Sequence, residues 1–284
     1  MKKLLTSLAA VAAIGMSAPA SAVVVGGIDF GAMGTAFNLN TATLAETFVN
    51  GVGQELRGYG YVTSVNGDTT YCADGTSNCA LYFYFYGYTV SSFGGGKVQF
   101  TGGTVDMYYG NAPAMNFLTQ NSNDNVAAIT SLTKWTRFNG HTFADPLFGG
   151  VNATQTLNGS GTLTGASLSQ SGAGLLDSNL SGTFGMASVA NYMNGNSEAD
   201  GLGGFADILL TSSTSNSILN PFDASSTLAD SCKTASQQVG DWCLQGTLNT
   251  RGATNYTPEP AALSLVGLSL LAMGATARRR RKAA

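Results

Sequence analysis

Residues 80–90 read ALYFYFYGYTV and carry the strongest β-strand signal in this chain of 284 residues. Because side chains alternate along a strand, Leu81, Phe83 and Phe85 lie on one face and tyrosines lie on the other. The tyrosine stripe consists of Tyr82, Tyr84, Tyr86 and Tyr88. The apolar face predicts packing against a core. The stripe is a candidate glycan-binding surface, because tyrosine rings stack on sugars and their hydroxyls form hydrogen bonds. Burial against a second sheet or a neighbouring molecule is the alternative.

Turn signals divide the flanking sequence into further short strands. Residues 58–65 predict a strand that ends in an Asn66-Gly67 turn, and residues 97–109 predict the return strand of a hairpin. In the return strand the apolar residues occupy even-numbered positions before Gly102-Gly103 and odd-numbered positions after it, which predicts a β-bulge at the glycine pair. The remaining strand candidates lie in residues 129–138, 151–182, 183–193, 205–212 and 242–247. Helices over 125–135 and 183–193 are alternatives at two of these places.

Many short strands between turns indicate a mainly β protein, organised as an antiparallel β-sandwich-like single domain over residues 23–257. The composition agrees, because glycine is abundant and only 10% of the residues are charged, as suits a secreted β protein with many turns. A β-solenoid is the alternative, although no fixed repeat period supports it.

The first 22 residues have the pattern of a secretory signal peptide. Lys2 and Lys3 form a basic start, residues 4–16 form a short apolar run, and Ala20-Ser21-Ala22 is a small-residue cleavage site. We therefore expect Ala20 and Ala22 to direct cleavage and the exported chain to start at Val23.

The last 27 residues, 258–284, have three parts in order. Pro258, Glu259 and Pro260 precede an apolar run over 261–277, and a basic cluster follows it: Arg278, Arg279, Arg280, Arg281 and Lys282. A helix of 17 residues is about 25 Å long, so it barely crosses a hydrocarbon core of roughly 30 Å. The basic cluster is expected to stay in the cytoplasm, which puts the rest of the chain on the other side of the inner membrane.

This tail resembles the PEP-CTERM sorting signal of proteins exported by Gram-negative bacteria. The resemblance implies removal of the tail by a membrane-embedded exosortase and a link to organisms that make exopolysaccharide. Thr257 stands where that family commonly has Val. A less specific similarity, to flocculation-associated PEP-CTERM proteins, covers residues 172–177, 194–196, 199–200 and 206–212. It implies a role in holding bacterial flocs together with exopolysaccharide.

Removal of both terminal signals changes the charge balance of the chain. Residues 23–257 retain six basic and fifteen acidic residues, a net charge of about −9, against −3 for the whole chain. A negative surface disfavours nucleic acid and anionic lipid as partners. It remains compatible with neutral polysaccharide and with divalent cations.

The four cysteines form two local pairs, Cys72 with Cys79 and Cys232 with Cys243. An exported chain meets an oxidising compartment, so an even number of cysteines predicts disulfides. The local pairing is favoured because each pair flanks a short, turn-rich loop. Metal binding is the weaker alternative, because neither pair has Cys-x-x-Cys spacing.

The residues of this chain do not form a recognisable catalytic set, which argues against an enzyme. His141 is the only histidine, with Asp145 nearby, and no Gly-x-Ser-x-Gly motif supplies a serine nucleophile. A secreted carbohydrate-active enzyme is the alternative, and it would need two of the carboxylates Asp145, Asp177, Asp200 and Asp207 in one cleft, one of them with a raised pKa.

The glycine-rich stretch 201–206 fits a dinucleotide fingerprint by letter but lacks the βα context, so we expect a turn. No cofactor or metal site is predicted, although Glu198, Asp200 and Asp207 leave a Ca²⁺ site near the turn open. The sequence thus favours an exported surface or extracellular-matrix protein associated with exopolysaccharide in floc or biofilm formation.

Overall fold

The computed structural model describes residues 22–32, 36–111, 121–145, 155–216, 232 and 236–255. Within these ranges the protein is mainly β, which confirms the predicted class. Two helices, α1 (Ser122–Thr130) and α2 (Ala187–Met193), accompany the strands. The strands in chain order are β1 (Ala22–Val25), β2 (Ile28–Ala32), β3 (Ala36–Thr47), β4 (Glu55–Tyr61), β5 (Ser64–Val65), β6 (Cys79–Gly94), β7 (Lys97–Asn111), β8 (Thr133–His141), β9 (Leu157–Thr162), β10 (Ser169–Ser178), β11 (Glu198–Ala199), β12 (Phe205–Ala206), β13 (Ile208–Ser215) and β14 (Trp242–Ala253).

Eight strands form one antiparallel sheet that closes into a barrel. Its order is β3-β4-β6-β7-β8-β10-β13-β14, and β14 pairs with β3 to complete the ring. The predicted sandwich is therefore wrong, although the class and the antiparallel pairing are right. Alternating strands bury one face in either architecture, so periodicity does not separate the two. Closure gives both edge strands a hydrogen-bonding partner.

The interior of the barrel is filled by side chains. Phe83, Val105, Met107 and Phe138 pack there around a cavity of about 20 Å³, which is room for little more than a water molecule. An eight-stranded barrel is just wide enough for such filling. Gly58 contributes to it, because a Cβ at this position would overlap the inward-facing ring of Phe85.

The predicted tyrosine stripe is divided by one glycine. Gly87 has a φ of +73°, and beyond it the face of β6 that points inward changes. Tyr88 consequently lies inside the barrel and is 2% exposed, so it does not share a face with Tyr84 and Tyr86. Tyr82 points outward, but the cluster around Ile129 of α1 buries it to 3% exposure. Neither Tyr82 nor Tyr88 offers an open ring to a ligand.

The switch of the apolar residues of β7 from even-numbered to odd-numbered positions has a related cause. Gly102 and Gly103 have φ values of +74° and +95°, and pairing with β6 continues across them without a register shift. The predicted bulge at this glycine pair is therefore replaced by left-handed backbone opposite Gly87. The irregularity in the pairing of β6 with β7 lies between Val90 and Ser92.

Two segments that favoured strands contain helices. Asn121 caps α1 by accepting a hydrogen bond from the backbone N–H of Asp124 (2.9 Å). Tyr59 holds this helix on the outer wall, because its hydroxyl contacts Ser122 Oγ and Asn125 Nδ2, each at 3.0 Å. The strand preference for 129–138 is right only from Thr133, where β8 begins. Residues 183–193 contain α2, the helical alternative.

The N-terminal hairpin of β1 and β2 packs where β3 and β8 begin. The Trp135 indole N–H donates to the Gly26 carbonyl (2.9 Å), and Phe30 contacts the rings of Trp135 and Tyr192. The hairpin thereby covers the apolar residues at this end of the barrel.

Both predicted disulfides are confirmed. The Cα atoms of Cys72 and Cys79 are 5.8 Å apart, and those of Cys232 and Cys243 are 5.4 Å apart. The second bond belongs to an apolar cluster near the point where β3 ends and β14 begins.

Candidate functional site

Tyr84 and Tyr86 lie on the outer wall of the barrel. Both are half-buried, and their rings stack with centroids 5.2 Å apart and planes 23° from parallel. Each ring therefore covers part of one face of the other. A ligand meets ring edges, hydroxyls and the remaining ring surface rather than a row of four flat rings. The glycan-binding role of this pair stays a prediction.

An ion pair adjoins the tyrosines. Arg137 on β8 contacts Asp106 on β7 through Nε (2.5 Å to Oδ1) and Nη2 (2.8 Å to Oδ2). Nη2 also donates to the Tyr86 hydroxyl (3.1 Å), and the ring of Phe184 lies 4.3 Å from the guanidinium carbon. Two-point bonding and stacking hold the guanidinium in one orientation. These bonds use Nε and Nη2, so Nη1 is the group left to donate to a ligand.

We call Tyr84, Tyr86, Asp106, Arg137 and Phe184 the outer patch. The pKa shifts within it follow from burial and from ion pairing. The hydrogen bond with Asp106 raises the pKa of Arg137, so the guanidinium stays charged. Burial is the main cause that raises the pKa of Tyr86, and the charge of Asp106 adds to it. Tyr86 is therefore a neutral hydroxyl at physiological pH. Asp106 itself is 3% exposed, and Arg137 neutralises it.

His141 lies between two carboxylates on the same outer wall. Its Nδ1 is 2.7 Å from Asp177 Oδ2 on β10, and its Nε2 is 3.3 Å from Asp200 Oδ2 in the β11–β12 turn. Burial opposes the charged imidazole, but the hydrogen bonds and charges of both carboxylates outweigh it, so the pKa of His141 is raised. The histidine ties the turn to the barrel wall.

The other acidic candidates do not converge on His141. Asp145, its neighbour in sequence, accepts a hydrogen bond from Asn158 (2.5 Å). Asp207 accepts from the backbone N–H groups of Ser178 and Asn196, so its carboxylate organises the local chain.

The oxygens of Asp200 and Glu198, two of the three acidic residues that left a Ca²⁺ site open, have other partners. Asp200 Oδ1 accepts backbone N–H groups from residues 202 and 204, bonds that lower its pKa, and Glu198 lies 4.0 Å from Arg251. Within the described ranges no group of three His, Cys, Asp or Glu side chains is arranged to hold a metal ion.

A glycosidase needs two carboxyl groups at one cleft, one of them with a raised pKa. Asp177 and Asp200 both contact one imidazole, yet the pKa of Asp200 is lowered, first by the backbone hydrogen bond from Leu202. Such a group is a poor proton donor near neutral pH. The described carboxyl whose pKa is raised, to about 7 by burial, is Glu46, which lies inside the barrel beside Tyr88. A carboxyl enclosed there does not face a polysaccharide.

Asp106, Arg137 and Phe184 were not among the residues predicted for a site. A signal did exist for two of them, because Asp106 lies between the inward-facing Val105 and Met107 and Arg137 precedes the inward-facing Phe138. The alternation of side chains along each strand therefore places both charged residues on the outer face. It does not show that β7 and β8 are neighbours with these residues directly paired.

No family model, no curated protein and no solved structure matches the chain. Several predicted signal residues lie outside the described residues: Ala20, Pro258, Glu259, Pro260, Arg278, Arg279, Arg280 and Arg281. Ala22, the last residue of the predicted signal peptide, begins β1. Among the described residues no helix has the length and apolar character needed to cross a membrane, and the predicted span over 261–277 is not among them.

Proposed function

We propose that this protein is an exported surface or extracellular-matrix protein that associates with exopolysaccharide in floc or biofilm formation. The observation that carries the proposal is the outer patch of Tyr84, Tyr86, Asp106, Arg137 and Phe184. It combines half-exposed aromatic rings with a guanidinium held in one orientation, and sugars are recognised by ring contact and by directed hydrogen bonds.

The proposed route to the cell exterior depends on the two terminal signals. The precursor would be held in the inner membrane by the span over 261–277 until an exosortase removes the tail. The two disulfides support this route, because disulfides persist in oxidising compartments outside the cytoplasm. The filled interior supports a surface role over a carrier role, since the cavity of about 20 Å³ is too small for a sugar.

Binding of exopolysaccharide from the host tests the proposal. We expect Tyr84→Ala combined with Tyr86→Ala to weaken binding roughly tenfold or more, because one ring contact contributes about 1 kcal/mol and the hydroxyls are lost as well. Phe205→Ala is the matched control, because Phe205 is 56% exposed and belongs to β12. Equal binding by the double variant and the wild type, with both folded, would contradict the role of the patch.

The rival function is a secreted carbohydrate-active enzyme, and the contact of Asp177 and Asp200 with His141 is the observation that favours it. Incubation of the purified protein with the same polysaccharide separates the two. We expect no release of reducing sugar. Release that disappears in Asp177→Asn would replace the structural proposal with the enzyme.

A further inference from the structure

The outer patch continues sideways into a row of polar side chains. Tyr86 on β6 pairs with Thr104 on β7, Thr104 pairs with Asn139 on β8, and Asn139 pairs with Asp177 on β10. Each residue is the direct cross-strand partner of the next. The four side chains therefore lie in a line at right angles to the strands, about 4.8 Å apart.

All four side chains of this cross-strand row point outward and are accessible. The alternate residues Phe85, Val105, Phe138 and Leu176 face the interior, so their neighbours in the row face solvent. Asn139 is exposed, Tyr86 and Thr104 are half-buried, and the Asp177 side chain is 46% exposed.

The row thus offers two hydroxyls, an amide and a carboxylate, all groups that hydrogen-bond to sugar hydroxyls. The Tyr86 hydroxyl donates to Asp106 (3.3 Å) and accepts from Arg137, so it keeps one lone pair for a sugar hydroxyl. Asp177 contacts His141 through Oδ2, so its Oδ1 is the oxygen that accepts from a sugar.

We propose that a linear polysaccharide of uncharged sugars lies along the cross-strand row, one sugar unit on each of β6, β7, β8 and β10. This inference rests on the proposed function and adds the ligand class and its direction. The strand spacing is close to the advance of one pyranose unit along an extended chain, so each successive sugar presents a hydroxyl to the next side chain of the row.

The negative charges at and around the row favour an uncharged polysaccharide over an acidic one. Arg137 is neutralised by Asp106, whereas the carboxylate of Asp177 is exposed at one end of the row. The exported part also carries a net charge of about −9. A polyuronate would bring many carboxylates against this surface and be repelled, most strongly at low salt. Neutral sugars meet no such repulsion and satisfy the same hydrogen-bonding groups.

Two variants test the row without removing the tyrosines. Thr104→Val keeps the shape and the β preference of the side chain and removes one hydroxyl, and Asn139→Ala removes the amide. Strands β13 and β14 carry no residue of the row and supply matched controls, Thr211→Val and Asn249→Ala, because these exposed residues pair directly with each other. The full chain is purified in a detergent without sugar headgroups and mixed with a linear β-linked glucan or a polyuronate.

We expect each row variant to weaken glucan binding roughly three- to tenfold, which is the effect of losing one hydrogen bond, while the controls bind like the wild type. Affinity for glucan oligosaccharides should rise with length up to the tetramer and then level off, because the row has four positions. Should Asn139→Ala lose stability, Asn139→Val tests the loss of the amide instead, because valine favours a strand and its side chain forms no hydrogen bond.

Three results would overturn the inference. Loss of binding in the tyrosine double variant but not in the row variants leaves the proposed function standing and removes the cross-strand direction. Tighter binding of the polyuronate removes the uncharged class. No binding of either probe or of the host exopolysaccharide removes the proposed function itself, and with it the inference.

Discussion

Glu46 provides the sharpest prediction about the stability of the barrel. Its carboxyl is 4% exposed, accepts hydrogen bonds from Gln170 and Thr214 (3.1 Å each), and lies inside the barrel beside Tyr88. Burial raises its pKa from 4.5 to about 7, against the opposing effect of the two hydrogen bonds. The folded state therefore binds the proton more tightly than the unfolded state.

The sign of the pH dependence follows directly. Between pH 4.5 and 7 the unfolded carboxyl is ionised while the folded one is still protonated. The free energy of unfolding thus falls as the pH rises through this window and levels off above it. A shift of this size corresponds to a loss of about 3 kcal/mol, at roughly 1.4 kcal/mol for each pKa unit.

Glu46→Gln should remove this loss, because the amide oxygen still accepts from Gln170 and Thr214 and carries no charge. We expect the variant to match the wild type near pH 4.5 and to exceed it at pH 8 by about 3 kcal/mol, a shift of roughly 1 M in the urea midpoint. Urea unfolding with the disulfides intact measures both. Glu55→Gln is the control, because Glu55 is exposed on the same barrel. Parallel pH profiles for the wild type and Glu46→Gln would refute the buried-carboxyl argument.

Two further predictions concern other parts of the chain. His141 has a raised pKa, so its stabilising contact with Asp177 and Asp200 is complete below the unfolded value of 6.5 and is lost as the pH rises through the higher folded value. In the Glu46→Gln background, His141→Gln should abolish the slope of the urea midpoint above pH 6.5 and below the range where tyrosines titrate, and an unchanged slope there would contradict this. The protein from its host should begin at Val23 and lack the arginines from 278 to 281, as intact-mass measurement can show, whereas a mature species that keeps the arginines would point to a plain anchor.

Local features were predictable from the sequence because their causes are local. The Asn66-Gly67 turn forms with positive φ at both residues, as the dipeptide predicts. The disulfides join cysteines 7 and 11 positions apart, so short loops bring them together in any fold. The strand over 80–90 was predictable from alternation and is part of β6.

The candidate site was predictable only in part. The outward orientation of Tyr84 and Tyr86 follows from alternation, but the inward orientation of Tyr88 does not, because Gly87 adopts left-handed backbone that no residue pattern predicts. The helix α1 that covers Tyr82 is a contact between segments far apart in sequence. A face assigned by period two therefore holds only until a glycine changes the backbone or another element covers it.

The sequence by itself determined the β class, the local turns, the disulfide pairing and the pattern of the terminal signals. Tertiary structure alone decided that the sheet closes through β14 and β3, that Arg137 meets Asp106, and that His141 lies between Asp177 and Asp200. The physical reason is that periodicity reports which side chains share a face of one strand. Which strands become neighbours depends on the whole sheet, because the pairing must give each edge strand a hydrogen-bonding partner and also fill the interior with side chains.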